Sequence, residues 1–261
     1  GDKLALCGNS GRSPKPHLHF QVQADPYIGS PTIDYPFAFY MLNEIPVFEL
    51  KTFSRPGHQD IISNIEINDS LNNAFHFVPG KKMQFRLMTE GEETASIVRL
   101  SVKADSFNNT YIADENGNSK AWFRTEAGMT YFTHFEGNKK SFLYLFYLGL
   151  YRSVSGFYQG LKLHDSFTLS MISGKRGMFI QDFVAPFYTF LSAEYEMEYL
   201  KLEDELSNNK VIFRSLATVK SGKRIRKAFD FWFEVENGRI NKMYINTVSA
   251  NIEATWEEAD F

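Results

Sequence analysis

Apolar and polar residues alternate with a period of two through much of the chain. Met83, Phe85 and Leu87 alternate with Gln84 and Arg86, and Val98, Leu100 and Val102 with Arg99, Ser101 and Lys103. Tyr195, Met197 and Tyr199 alternate with Glu194, Glu196 and Glu198. Phe229, Phe231, Phe233 and Val235 alternate with Asp230, Trp232, Glu234 and Glu236. Successive side chains of a strand point to opposite faces, so this pattern predicts half-buried antiparallel strands. Asn116-Gly117 and Asn237-Gly238 supply the positive-φ pairs that tight hairpins require. The stretch 139–152 is apolar all round and predicts either a buried helix or a central strand; periodicity does not choose between them. Residues 183–191 are equally ambiguous.

The first forty residues read differently. A short apolar strand, Leu4 to Cys7, precedes a turn-rich segment from Gly8 to Pro16, and a second strand is expected over His17–Gln23. From Ala24 to Pro46 the chain is rich in Pro, Gly and aromatics and is expected to pack as a tail over a neighbouring sheet. The composition changes near Leu42 to Phe48. The expected organisation is therefore two regions, 1–45 and 46–261, in a mainly β protein: a small antiparallel piece, then a larger antiparallel β domain with one or two helices.

With 43% apolar and 16% aromatic residues, the chain can fill a large core, which excludes general disorder. A net charge of -3 offers no field for nucleic acid or anionic lipid. The basic run Lys220 to Lys227 reads as a solvated hairpin turn. The single cysteine, Cys7, excludes an internal disulfide and is expected to be a small core residue. The most apolar segment, Phe142 to Tyr151, falls short of the roughly 20 residues that span a bilayer. The opening residues do not read as a signal peptide, and a soluble chain is expected.

Chemistry concentrates in His17-Leu18-His19. On a strand, residues i and i+2 share a face, so both imidazoles would look to one side: taken alone the triplet reads either as a surface pair or as a metal ligand beside a supporting or general acid-base histidine. The block Gly8-Asn9-Ser10-Gly11-Arg12-Ser13, followed by Pro16-His17-Leu18-His19-Phe20, resembles the last motif of the lysostaphin-like zinc metalloendopeptidases, which cut peptide cross-links of bacterial cell walls. Gly1-Asp2-Lys3-Leu4 is similar to the turn and strand before that motif, and Thr32-Ile-Asp-Tyr-Pro36 to the tail after it. The resemblance implies that His19 is a zinc ligand and that His17 orients water or steadies the oxyanion. It also implies that Gly8 and Gly11 shape the loop beside the cleft. Ser10, Arg12 and Ser13 are loop residues that either touch substrate or hold the loop.

The family's other two ligands form a His-x-x-x-Asp motif well upstream. No histidine stands among the sixteen residues before His17, and Asp2 lacks such a partner. A catalytic zinc normally takes three protein ligands. The resemblance therefore implies zinc in the full-length family member, and neither bound zinc nor hydrolysis in this chain alone.

The other histidines do not fill the gap. His58, near Asp60, and His164, beside Asp165, lie downstream, while His76 and His134 stand isolated between aromatics; all four read as surface or hydrogen-bonded residues. Glu194, Glu196 and Glu198 read as a solvated strand face, with Glu203, Asp204 and Glu205 beyond. Asp114 to Asn118 reads as a hairpin turn rather than a calcium loop. The aromatics Tyr144, Phe146, Tyr147, Tyr151, Phe157 and Tyr158, then Phe183, Phe187, Tyr188 and Phe190, are expected to be mostly core, although such a domain can also offer a groove to peptide or glycan.

Three functions are thereby in play. The first is the C-terminal part of a zinc peptidase of the bacterial cell envelope, extracytoplasmic, acting on peptidoglycan peptides. The second is a non-catalytic β-rich module binding an envelope ligand. The third is the soluble appendage of a membrane protein resembling urea transporters: peptidase tails of this kind occur behind such permeases, and Tyr144-Leu-Phe-Tyr-Leu-Gly-Leu-Tyr151 is faintly similar to them. Nucleic acid is not an expected partner, and a membrane enters only through regions upstream.

Overall fold

The alternating segments pair into one large sheet in a computed structural model, which describes residues 6–9, 14–18, 20–44, 47–168, 191–205, 208–222 and 224–258. In chain order the elements are β1 (Val22–Gln23), β2 (Thr32–Ile33), β3 (Phe37–Glu44), β4 (Val47–Ser54), β5 (Ile62–Ser63), α1 (Asp69–Phe75), β6 (Lys82–Thr89) and β7 (Ser96–Ala104). There follow β8 (Thr110–Asp114), β9 (Lys120–Glu126), β10 (Met129–Glu136), α2 (Phe142–Gly149), β11 (Arg152–Val154) and β12 (Lys162–Ser166). The chain ends with β13 (Leu191–Glu205), β14 (Asn208–Ser221), β15 (Arg224–Glu236), β16 (Arg239–Thr247) and β17 (Asn251–Glu257). The fold is mainly β and antiparallel, as the patterning predicts, with two helices among the described residues; α1 is one that the patterning does not place.

β1 and β2 form a separate two-stranded sheet; the other strands form a 15-stranded sheet in the order β11-β10-β9-β8-β7-β6-β17-β16-β15-β14-β13-β12-β4-β3-β5. Every neighbouring pair is antiparallel except β12 and β4. Asn237 (φ 51°) and Gly238 (φ 72°) make the two-residue turn between β15 and β16. Asp114 to Asn118 forms the β8–β9 hairpin turn, and the basic run forms the β14–β15 turn.

The segment 139–152 resolves as a helix. Ser141 accepts a hydrogen bond from the Tyr144 amide (3.2 Å) and so fixes the start of α2, three residues inside the expected span. The helix is apolar on every side because the sheet curls around it. Phe142 and Phe146 meet Phe85 of β6, Tyr147 meets Phe132 of β10, and Gly149 abuts Phe231 and Phe233 of β15. Each fully buried Leu or Phe of this core contributes roughly 1.5–3 kcal/mol. Of the stretch Tyr144 to Tyr151, residues 144–149 belong to this eight-residue interior helix.

A buried helix end leaves carbonyls that water cannot reach. Here the sheet supplies the donors. Tyr195 of β13 donates to the Gly149 carbonyl (3.1 Å) and to that of Arg152 (2.9 Å), and Ser215 of β14 donates to Gly149 (2.6 Å). Tyr199 donates to the Val154 carbonyl. These bonds close the curl, because β11 lies at one margin of the sheet and β12 and β13 near the other. The Arg152–Asp165 ion pair (2.5 Å) joins the same margins. Burial pushes the phenols of Tyr144, Tyr147, Tyr195 and Tyr199 well above their ordinary pKa, so they remain neutral.

α1 packs over β15 and β16. Asn68 caps its N-terminus by accepting from the Leu71 amide (3.0 Å). At its other end Lys81 donates to the carbonyls of Asn73 and His76, both at 3.1 Å, and burial pulls the Lys81 pKa down.

Three expectations are corrected. Cys7 is exposed rather than core; among the described residues no strand covers the segment that carries it. The strand expected over His17–Gln23 shortens to Val22–Gln23 among the described residues. Residues from Phe37 onward are not a tail but β3, so the composition change near residue 45 falls inside the β3–β4 hairpin. The ambiguous segment 183–191, with Phe183, Phe187, Tyr188 and Phe190, lies outside the described residues except for Leu191, which opens β13.

Tyr199→Phe leaves the Val154 carbonyl buried without its donor and is expected to cost about 1–3 kcal/mol in urea unfolding. Tyr195→Phe is expected to cost less, since Ser215 still serves Gly149 and the Arg152 carbonyl that loses its donor is only partly buried; equal and negligible losses would contradict this closure. A Cβ at Gly149 would stand 2.7 Å from Phe233 and 3.0 Å from Phe231. Phe233 is held by stacking on Phe213 (4.5 Å, 7°), so Gly149→Ala is expected to cost about 1–3 kcal/mol by overpacking, measured as a lower melting temperature.

Candidate functional site

Residues 6–36 carry the histidine block. The His17 amide donates to the Gly8 carbonyl (3.3 Å) in an isolated bridge that closes the turn-rich loop between them. The ring Nδ1 of His17 lies 2.9 Å from the Lys15 carbonyl. A carbonyl only accepts, so the Nδ1–H donates to it and fixes the orientation of the ring. His17 itself is exposed. Ser10, Arg12, Ser13 and His19 lie outside the described residues.

Downstream, Val22 pairs with Ile33 and Gln23 with Thr32, and the intervening loop is closed by the Ala24 amide on the Pro31 carbonyl (3.0 Å). Apolar side chains stand in solvent along this part: Leu6, Leu18, Phe20 and Tyr27 are each 69–79% exposed. An aromatic chain, Phe20–Tyr35–Phe37–Tyr40, links it to β3.

Among the described residues no group of three His, Cys, Asp or Glu side chains is placed to hold a metal ion. His58, His76, His134 and His164 are all exposed. His164 lies 3.9 Å from Glu196, while Glu198 meets Lys162 (3.5 Å) and Glu194 meets Lys220. The carboxylate row of β13 is thus an ion-paired outer face. The hydrogen bond from Lys220, ahead of its charge, holds the Glu194 carboxyl below its usual pKa. Tyr144, Phe146, Tyr147 and Tyr151 are core, and Phe157 and Tyr158 pack against it.

A second feature is invisible in the linear sequence. Register places Tyr111, Trp122 and His134, from three adjacent strands, side by side on the outer face. Ring centroids are 5.5 and 5.4 Å apart, with tilts of 36° and 38°. Trp122 and His134 border a cleft of about 710 Å3 that Arg124, Glu126, Thr133 and the Asn108–Asn109 turn also line, with Tyr111 beside it. The bulge between Phe132 and His134 turns the imidazole onto this face, which the residue pattern of β10 alone does not reveal.

Fold and site together define a mainly antiparallel β protein whose sheet encloses a helix and whose N-terminal part bears an exposed histidine loop. No protein-family model and no curated protein matches the chain. A solved structure of a candidate exported protein with a YmcC-like fold, from Bacteroides fragilis NCTC 9343, aligns with 71% of this chain and 98% of its own, at 10% identity and a TM-score of 0.32. A likeness that shallow transfers neither fold detail nor activity. No helix among the described residues is long and apolar enough to cross a membrane.

Because His17 is exposed and its ring bonds a backbone carbonyl only two residues away, His17→Ala is expected to change unfolding free energy by less than about 0.5 kcal/mol. Equilibrium dialysis followed by metal analysis is expected to find no stoichiometric zinc; tight one-to-one zinc would contradict the ligand count.

Proposed function

We propose that the chain is the C-terminal portion of a bacterial-envelope zinc metallopeptidase acting on cell-wall peptides. In this reading residues 1–45 close the catalytic domain, and the helix-enclosing sheet is largely a non-catalytic accessory module that takes β3 from the end of that first region. The protein is extracytoplasmic, and the remaining zinc ligands belong to a His-x-x-x-Asp motif ahead of Gly1.

One observation carries the reading: the Gly8 to His19 block keeps the residue types and spacing of the lysostaphin-like motif. The Gly8–His17 bridge and the hydrogen bond from His17 Nδ1 to the Lys15 carbonyl support it, since they close the loop and orient the ring. The exposed Leu6, Leu18 and Phe20 support it as well, being side chains that a complete domain would cover. His17 would then orient water or steady the oxyanion beside a zinc held in part by His19, and the metal would supply Lewis-acid activation of water.

The second reading, a β-rich module that binds an envelope ligand without catalysis, is favoured by the aromatic cleft on β8, β9 and β10.

Expressing the gene product with the region that precedes Gly1 tests the proposal. The longer protein is expected to hold one zinc and to release peptides from purified peptidoglycan, and His19→Ala to abolish release. Undiminished hydrolysis by His19→Ala, or an upstream region without His-x-x-x-Asp, would overturn it; ten apolar spans there would instead make the chain a permease appendage.

A further inference from the structure

The outer face of the large sheet is mostly laced with opposite charges. Lys220 meets Glu194, Lys162 meets Glu198, Lys210 meets Glu234 and Lys242 meets Glu253. Around Trp122 the pattern changes. Rings from β8, β9 and β10 replace the ion pairs, and among the described residues neither Lys120 nor Arg124 has a carboxylate partner within salt-bridge distance. Lys120 Nζ stands 5.6 Å from the centre of the Tyr111 ring and 6.0 Å from that of Trp122. Lys120 and Arg124 thus stand beside the aromatic strip outside any ion pair, although Glu126 lines the same cleft and Glu136 lies opposite Lys120 across the strands.

Trp232 offers an internal comparison. It too lies on the outer face with an arginine, Arg214, 5.3 Å over its ring. There the guanidinium is held by both oxygens of Asp230, at 2.7 and 2.9 Å, so its charge is already answered. Arg124 has no such partner among the described residues. Cross-strand ring pairs also stabilise sheets, but that role does not call for a guanidinium outside any ion pair in a cleft of about 710 Å3. The volume lies within the roughly 300–1,000 Å3 of small-molecule sites.

Chemistry limits what fits. The negative faces of the rings attract partially positive C–H groups, which the flat face of a pyranose presents. Ring centres 5.4–5.5 Å apart form a strip along which successive sugar rings can lie. Thr133 and the Asn108–Asn109 turn line the same cleft and present hydroxyl and amide groups to sugar hydroxyls. Lys120 and Arg124 ask for an anion, and the guanidinium suits a carboxylate.

We propose that the outer face of β8, β9 and β10 binds a carboxylate-bearing glycan, its pyranose rings stacked along Tyr111, Trp122 and His134 and its carboxylates met by Lys120 and Arg124. The site is independent of the histidine loop, so the peptidase reading can fail while this one stands.

The test is titration of the intact chain by calorimetry and tryptophan fluorescence. The probes are tetragalacturonate, an N-acetylglucosamine–N-acetylmuramic acid tetrasaccharide, neutral chitotetraose and a single-stranded oligonucleotide. At least one acidic sugar is expected to bind and quench fluorescence, and which one binds distinguishes a uronate polymer from a wall glycan. Trp122→Ala is expected to weaken that binding about tenfold or more, the scale of one lost stacking contact. Arg124→Gln and Lys120→Gln keep the rings and are expected to weaken acidic sugars about threefold or more while leaving chitotetraose unchanged. Trp232→Ala should leave binding intact. The proposal is overturned if neither acidic sugar binds, if folded Trp122→Ala binds as the parent does, if chitotetraose binds as tightly as the acids, or if the oligonucleotide binds more tightly.

Discussion

A buried helix end must find hydrogen-bond donors, and that requirement shapes this protein. The carbonyl of Gly149 lies deep in the interior, where an unpaired acceptor costs about 1–3 kcal/mol. Tyr195 and Ser215, from two different strands, both reach it. They do so only if β13 and β14 pass beneath the helix, which means the sheet must curl. Once it curls, its margins meet at β11, and Tyr195, Tyr199 and the Arg152–Asp165 pair hold them together through side chains instead of a backbone ladder.

The same arrangement decides where function can reside. Aromatic side chains and α2 fill the interior, with Phe146, Tyr147, Phe231 and Phe233 essentially inaccessible. Recognition is left to the outer face and to the N-terminal part. On the outer face many charges are answered by neighbours, whereas Lys120 and Arg124 at the Trp122 strip are outside any ion pair among the described residues. In the N-terminal part the apolar residues face solvent, and β1 pairs with β2 alone. The two candidate regions are thus physically separate, one built on register within the large sheet and one on a short loop with its own small sheet.

Much of the fold is legible from local pattern. Tyr195, Met197 and Tyr199 alternate with glutamates because one face of β13 is core and the other is solvent. Asn237-Gly238 announces its hairpin because only residues that tolerate positive φ fit there. The α2 segment is ambiguous in sequence because a helix surrounded by sheet has no polar side; its remaining cue is Ser141, a residue suited to start a helix. Sheet closure is not legible, since Tyr199 and Val154 are far apart in sequence and their bond depends on the whole curl. Cys7 misleads for the converse reason: its apolar neighbours suggest a core, yet its side chain is exposed. Of the site, His17 is visible as a motif, whereas the Trp122 strip emerges only when three strands are in register and a bulge at Thr133 rotates His134 outward.

The central claim is that the sheet and α2 form one cooperative unit closed by buried hydroxyls, with residues 6–36 outside it. Amide hydrogen exchange followed by mass spectrometry measures this directly. The account predicts that 142–149, 193–199 and 211–219 exchange slowest and together, through global unfolding, while 6–36 exchange orders of magnitude faster. Protection of 6–36 equal to that of α2, or exchange of α2 by local opening while β13 and β14 stay protected, would contradict it.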